Sequence, residues 1–550
     1  MTIKLLSVSG GGWNSFSNLA GAMAGSLDRL DSQGLERKTD ALLGDYDYIS
    51  GNSGGTWFLT SLGFSKDFKE SLEIKSQADE YNTDGFNGKV KDFFNSLDDY
   101  YKFGKKTSVV AMLQDYDNSW GDFIEASVYE QIGDGKSIKD LDFTADSLQE
   151  WAKNPHLTFA TALTKKSIVD KSGEKVSENN QFYPPVLSGD PMFWDFASKA
   201  FSGYSPSEEA GDEYSVSNFV PLSIELDKLN SSYRVTGGQP LSIHYSDNKY
   251  GGGKLEETKI YNNTGATSRM RAIDPSLASS AAVAAMAFPE TYGKIGSQNE
   301  AAEHFKKLAP LASFNQKPGY LQLLIDEPAA KANMDKIMDD AKDKGYIRLA
   351  DGGYLDNTSI AFNLSSAFNQ GKLSEAKDSS DPAFEAHLFQ NNSDDYSDQV
   401  DITGADNTEV SLPSDLAALF GLDSSSKTTE VSDNVIQHTA SELWQISPHV
   451  FTSDSLTNSN LESTSLYKKD DLEISYLEID VETINNDAYN IDGGVQGTLK
   501  IYLSINSSSD AIPWKESIHR DYSDNYNGWR TAIEGAPDNI GFFGDFTLMG

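Results

Sequence analysis

Residues 3–17, IKLLSVSGGGWNSFS, pass from a short apolar run through three consecutive glycines into a stretch of small and apolar residues. Residues 48–58, YISGNSGGTWF, repeat the plan with a serine set between glycines. Hydrophobic patterning reads residues 3–8 as a buried strand and residues 15–30 (SFSNLAGAMAGSLDRL) as a helix with a face of small residues. Residues 46–50 (YDYIS) make a second short strand, and GGTWFLTSLGF from Gly54 opens a second helix. The order is strand, turn, helix, strand, turn, helix. A right-handed crossover then places the two strands parallel and close. Both glycine turns fall at the carboxyl edge of one sheet, where open α/β folds hold their sites.

The chain has 550 residues, 38% hydrophobic and 11% aromatic, enough to build a real core. Its 45 basic and 83 acidic residues give a formal charge of -38. Such a surface repels phosphate backbones and argues against nucleic acid as a partner. It also repels anionic bilayers, except where basic residues are concentrated; solubility in salty surroundings is the plainer explanation of the charge. The absence of cysteine excludes disulfides, thiolate metal sites and cysteine nucleophiles. No run of about 18 apolar residues reads as a membrane span. No basic leader with a cleavage site precedes the first strand, so a cytoplasmic protein, or a secreted one without its leader, is expected.

The remainder reads as one catalytic α/β domain over 1–550 with large insertions. Residues 65–150 read as a mainly helical insertion. The stretch LTFATAL from 157 is strand-like. Residues 180–240 contain FYPPVLSGDPMFWDFASKAFSGY, which reads equally as a lid or acyl-pocket segment and as a loop tucked over the core. Further strands are expected at LSIHYSD, YLQLLID and GYIRLAD, the last a parallel strand running into a glycine turn. Residues 376–435, rich in Asp, Ser and Asn, read as a polar, acidic, solvated insertion. LEISYLEIDVETI and TLKIYLSIN alternate as an antiparallel pair closing the sheet.

Gly51, Asn52, Ser53, Gly54 and Gly55 satisfy G-x-S-x-G after a strand and before a helix, the setting of a nucleophile elbow. The sharp turn admits only small flanking residues, and it presents the Ser53 hydroxyl at the positive end of a helix. Gly10, Gly11 and Gly12 are candidate oxyanion donors, because glycines at a helix start can aim several N–H groups at one point. A dinucleotide loop is disfavoured, since SGGGWNSF lacks the G-x-G-x-x-G register, and a P-loop lacks its G-K-[ST] ending. Two aspartates share a D-G-G flank: Asp351 in LADGGYLDN and Asp492 in NIDGGVQG. Asp351 follows a strand and is the preferred base; Asp492 is explained by a tight turn. Burial is expected to raise the pKa of a carboxylate that serves as base for serine. EYNTDGFNGKVK at 80–91 fails as a calcium loop because Lys91 stands where a bidentate Glu is needed.

SGGGW, GNSGGTW and ADGGYLDN, in that order, resemble the motifs of the patatin-like and cytosolic phospholipase A2 / lysophospholipase B group of serine lipid acyl hydrolases. SLASSAAVAAMAFP is similar to the small-residue helix upstream of that group's aspartate, and the tryptophan after the elbow glycines favours the phospholipase A2 and lysophospholipase branch. The resemblance covers about the first 65 residues and 270–365. It implies a three-layer α/β/α fold, with a mixed, mainly parallel central sheet and helices on both faces. It also implies a Ser53–Asp351 dyad without histidine, an oxyanion hole at Gly10–Gly12, no cofactor and no metal. The implied activity is hydrolysis of a fatty-acyl ester, or its transfer, at a lipid or micelle surface. The group usually carries Arg two residues after the last glycine of the first turn, as a phosphate or headgroup ligand; here that position is Asn14. Gly54, Arg269, Arg271 and Arg348 are the remaining headgroup candidates, a surface ion pair being the alternative for each arginine.

Two rival readings stand beside this one. An α/β-hydrolase triad would draw on His387, His438 or His449, all downstream of Asp351, although none lies in a recognisable turn motif. A non-catalytic storage or lipid-binding protein would keep the fold without the chemistry.

Overall fold

The computed structural model describes residues 2–96, 120–133, 138–164, 219–226, 231–235, 240–241, 243–250, 271–280, 310–314, 346–374, 382–392, 399–404, 409–422, 448–457, 461, 463–486, 489–506, 514–538 and 540. Strand β1 (Ile3–Val8) buries Leu5, Leu6, Ser7 and Val8, so both its faces are covered. That is the environment of a parallel strand inside an α/β sheet. Its neighbours are β2 (Tyr48–Gly51), reached through helix α1 (Gly12–Ser32), and β6 (Phe384–Asn392), both parallel to it. Beyond β2 lies β3 (His156–Thr164), parallel to β2, and beyond β3 the antiparallel β4 (Phe219–Leu226). On the other side, β9 (Gln496–Asn506) joins β6 in parallel, followed by the antiparallel β8 (Leu472–Glu482) and β7 (Thr464–Lys469). Among the described residues the sheet has 13 strands, parallel at its centre and antiparallel on both flanks. The chain thus adopts the expected mixed α/β fold.

Helices cover both faces, as strand alternation makes plain. Val8 and Gly51 face helix α2 (Ser53–Phe64), since side chains of Val8, Thr56 and Leu59 close around Gly51. Ser7, one residue earlier, points the other way, to helix α5 (Ile360–Asn369), where Asn363 Nδ2 donates to its Oγ at 2.9 Å. Ser7, Ser50 and Thr158 stand in register across β1, β2 and β3. Their hydroxyls meet Asn363, Ser359 and Ser366 respectively. A polar seam inside the core therefore fixes how α5 sits on the sheet. On the α2 face, the small-residue stripe of α1 packs on helix α7 (Trp514–Glu534): a Cβ at Gly21 would lie 2.3 Å from Tyr526 O, and one at Gly25 2.4 Å from Arg530 O.

Between β2 and β3 the described residues are mainly helical, including α3 (Phe86–Ser96). The pair read as closing the sheet is antiparallel, yet β9 lies inside, beside β6, and β7 takes the edge. YLQLLID and the aromatic stretch at 182–204 lie outside the described residues, as do most of the residues 180–240 assigned to a lid.

Two expectations are overturned. Residues 376–435, read as a polar, solvated insertion, contain β6 at the centre of the sheet with Phe384, Ala386, Leu388 and Phe389 buried, because the segment's average composition hides a short apolar strand. Strand β5 (Tyr346–Asp351), read as parallel, runs antiparallel to β3, with Thr161 opposite Asp351 and Leu163 opposite Leu349. The reason is the length of β3. β2 pairs with β3 only as far as Gly51 opposite Phe159, and β5 fills the vacated flank from the other end. The carboxyl ends of β2 and β5 therefore meet head to head.

Candidate active site

At that meeting point each chain turns away from the sheet. Ser53 is the first residue of α2 and has φ 46°, a left-handed value uncommon for a residue with a side chain and held here by the surrounding packing. Gly54 lies against the first turn of α1, since a Cβ there would fall 2.0 Å from Gly12 O. Two helix N-termini thus converge on one point, and their partial positive charges add. Behind the turns Trp13 and Trp57 pack edge to face, ring centroids 4.9 Å apart, with Phe94 and Phe123 against Trp13. This apolar wall fixes the angle between α1 and α2.

Asp351 is 2% exposed and hydrogen-bonded to the Ser53 side chain. Gly353 N–H donates to its Oδ1 at 2.7 Å, and the Asn52 side chain donates as well. Burial nevertheless dominates and pushes this carboxyl up to about 7 from 3.8, against the lowering pull of those three bonds. A carboxylate so poised can exchange a proton with a hydroxyl near neutral pH.

The three glycines of the first turn divide their tasks. Gly10 N–H donates to Asn357 O at 3.0 Å, so it is engaged within the protein rather than offered to a ligand. Ser53 N–H is likewise engaged, donating to Ser279 Oγ at 3.1 Å. Among the described residues, the N–H groups of Gly11 and Gly12 meet no acceptor. They stand where α1 begins, on the side where Gly54 closes in.

The weaker candidates go elsewhere. Asn14 is 3% exposed and receives Asn525 Nδ2 of α7, so it belongs to the helix interface. Arg271 pairs with Asp274 and Glu125 at the entry to helix α4 (Asp274–Ser279). Arg269 and the side chain of Arg348 lie outside what the structure describes. Asp492 is exposed in the connection before β9, at the amino end of that strand and so at the opposite sheet edge from Ser53. His387 sits within β6, its Nδ1 against Tyr46 Oη and its Nε2 against Glu385 Oε1, each at 2.8 Å. His449 lies by Asn486, near the connection between β8 and β9, and His438 is outside the described residues. Sequence reasoning missed Asn52, Asn357 and Ser279, all inside motifs it quoted; a rule that buried amides beside a carboxylate must pair would have marked the first two.

The family comparison bears on the first part of the chain. Residues 5–123 match the lysophospholipase catalytic domain family. The matched segment holds the glycine turn and the Ser53 elbow, so the resemblance carried by SGGGW and GNSGGTW is borne out there. Among solved structures, human GIVD cytosolic phospholipase A2 is similar at 12% identity and TM-score 0.34, over 70% of this chain and 45% of that one. The same human protein in complex with methyl gamma-linolenyl fluorophosphonate inhibitor and terbium chloride aligns at 18% identity and TM-score 0.16, over 29% of this chain and 21% of that one. This chain thus spans less than half the length of either of these solved chains. No curated protein matches the sequence.

Proposed function

We propose that the protein is a serine lipid acyl hydrolase of the phospholipase A2 / lysophospholipase kind, acting through a Ser53–Asp351 dyad. The observation that carries this reading is the buried Asp351 carboxyl bonded to the Ser53 side chain at the joint N-termini of α1 and α2. The family match over residues 5–123 supports the lipid acyl ester as substrate class.

In the acylation step Ser53 Oγ attacks the ester carbonyl carbon while its proton passes to the Asp351 carboxylate. The carbonyl oxygen becomes an oxyanion, received by the Gly11 and Gly12 N–H groups and the two helix dipoles. Collapse breaks the bond to the alcohol oxygen, which takes the proton from Asp351 and leaves. Water then gives a proton to Asp351, attacks the acyl-enzyme and releases the fatty acid, restoring the Ser53 hydroxyl. An alcohol in place of water would make the reaction a transfer. Asp351 is the base of choice because no described histidine stands beside Ser53, and because its carboxyl is pushed up to about 7.

A lipid substrate implies peripheral contact with a membrane or micelle surface. No helix among the described residues is long and apolar enough to cross a membrane. Asn14, packed on Asn525, gives no support to an arginine-like headgroup contact. Incubation with a mixed lipid extract, followed by mass spectrometry of released acids and lyso-products, identifies the substrate; Ser53→Ala must release none. A fluorophosphonate that fails to label the wild type would overturn the dyad in favour of a binding protein. Loss of activity on replacing a downstream histidine, with Asp351→Asn still active, would favour the triad.

A further inference from the structure

The dyad aspartate is held by a chain of side chains that begins in a part of the sequence read as a solvated excursion. Helix α6 (Ser414–Ala418) carries Asp415, which is 8% exposed. Asn357 Nδ2 donates to Asp415 Oδ2 at 2.7 Å. Asn52 Nδ2 donates to Asn357 Oδ1 at 3.0 Å, and the Asn52 side chain also donates to Asp351. Around Gly353 these groups crowd together: a Cβ there would lie 3.0 Å from Asn52 Nδ2, 3.0 Å from Asp351 Oδ1 and 3.1 Å from Asn357 Oδ1. On the opposite side a Cβ at Gly10 would lie 2.2 Å from Asn357 Oδ1. Glycines of both catalytic motifs therefore leave the room this chain occupies.

We propose that Asp415 is a positioning residue for the Ser53–Asp351 pair, acting through Asn357 and Asn52. The inference rests on the dyad reading above. Its logic is the direction of the hydrogen bonds. Asn357 turns its Nδ2 to the accepting Asp415 Oδ2 and therefore its Oδ1 to Asn52. Asn52 must in turn present Nδ2, the group that faces Asp351. The reverse arrangement would set Asn52 Oδ1 against two acceptor oxygens. Asn52 Oδ1 has no hydrogen-bond partner among the described residues, so Asn52 is held this way by its neighbours and not by its own full satisfaction. Asn357 links the two halves of the site, because its carbonyl also takes the Gly10 N–H. Asp356, adjacent in sequence and also buried, is the other acid near Asp415; its carboxylate is occupied by Thr358 and the Ala361 N–H.

The test compares wild type, Asp415→Leu and Asp415→Asn. Each is measured for hydrolysis of p-nitrophenyl butyrate, for fluorophosphonate labelling from about pH 5 to pH 9, and for thermal unfolding. Asp415→Leu removes the acceptor while keeping much of the volume. It lowers kcat about tenfold to a hundredfold, the usual worth of a hydrogen bond to a charged group. KM stays unchanged, and the acid limb of the pH profile moves upward as Asp351 loses a donor. Asp415→Asn still offers Oδ1 to Asn357 and recovers most of the loss, which a role as bare negative charge would not allow. Should Asp415→Leu fail to fold, the paired exchange of Asn357→Asp with Asp415→Asn keeps an acceptor before Asn52 Nδ2. It retains labelling that Asn357→Leu loses; equal loss in both overturns the proposal. A wild type that reacts at Ser53 while Asp415→Leu matches its kcat and acid limb overturns the positioning role alone. A wild type that does not react overturns the dyad reading, and the positioning role with it.

Discussion

Replacing Asp351 by Asn tests the site through stability as well as rate. In the folded protein burial pushes this carboxyl up to about 7 from 3.8, so between those pH values the native state holds a proton that the unfolded chain has lost. Unfolding then releases one proton, and stability falls by about 1.4 kcal/mol per pH unit as pH rises. The contribution is complete below the unfolded value and gone above about 7. Over the whole range it amounts to about 4 kcal/mol, of which about 3 kcal/mol falls between pH 5 and pH 9. Asp351→Asn does not titrate and keeps one acceptor for the Gly353 N–H. In urea unfolding at pH 5, 7 and 9, the variant's stability relative to wild type should therefore rise by about 3 kcal/mol, whatever fixed cost the new amide imposes. Other acids, Asp356 among them, titrate in both proteins and cancel. In the same variant kcat falls by about 10² to 10⁴, the range of a lost general base, and wild-type kcat rises through an apparent pKa near 7. A constant stability difference across pH, or a wild-type acid limb near pH 4, would refute the buried-base argument.

Further substitutions separate the site from its supports. Gly54→Ala brings a methyl to within 2.0 Å of Gly12 O; displacing the first turn of α1 is expected to cut fluorophosphonate labelling about 10²- to 10³-fold. Gly25→Ala meets Arg530 O at 2.4 Å on the α1–α7 contact. Urea unfolding should show a loss of about 1–3 kcal/mol with the labelling rate of folded protein unchanged. Asn14→Arg forces a charge between α1 and α7, so thermal unfolding should fall by several degrees, with no new preference for phosphate-bearing over neutral acyl esters. Arg271→Ala removes the guanidinium that pairs with the buried Asp274 and should cost about 3–5 kcal/mol in urea unfolding, with KM unmoved.

The ends of this sheet were unequally legible. IKLLSV and YISG announce themselves because apolar runs bounded by glycine leave few alternatives, and both are strands where expected. GYIRLAD looked the same and is indeed a strand, but its direction is set by β3, which outruns β2 and offers an unpaired flank. No local property of residues 346–351 encodes that. Asn14 shows the converse limit: its place in a motif suggested a ligand contact, whereas helix α7, more than 500 positions downstream in sequence, claims it through Asn525. Asp415 was invisible for a third reason. It stands in SDLAALFGL, an apolar run inside a segment whose overall composition reads as polar, and only the fold buries that run and pairs its carboxylate with Asn357.

By itself the sequence determined the two glycine turns, the serine set between strand and helix, and Asp351 as one of two D-G-G aspartates that could serve it. Those follow from steric rules that act over a few residues: only glycine fits where Gly54 meets Gly12, and only a sharp turn lifts Ser53 out of the sheet. The tertiary structure alone decided which amides stay open, since Gly10 and Ser53 give theirs to Asn357 and Ser279. It alone decided the titration of Asp351, because desolvation depends on what the whole chain packs around a group. And it alone brought Asp351 to Ser53, by letting two strands meet end to end along a third.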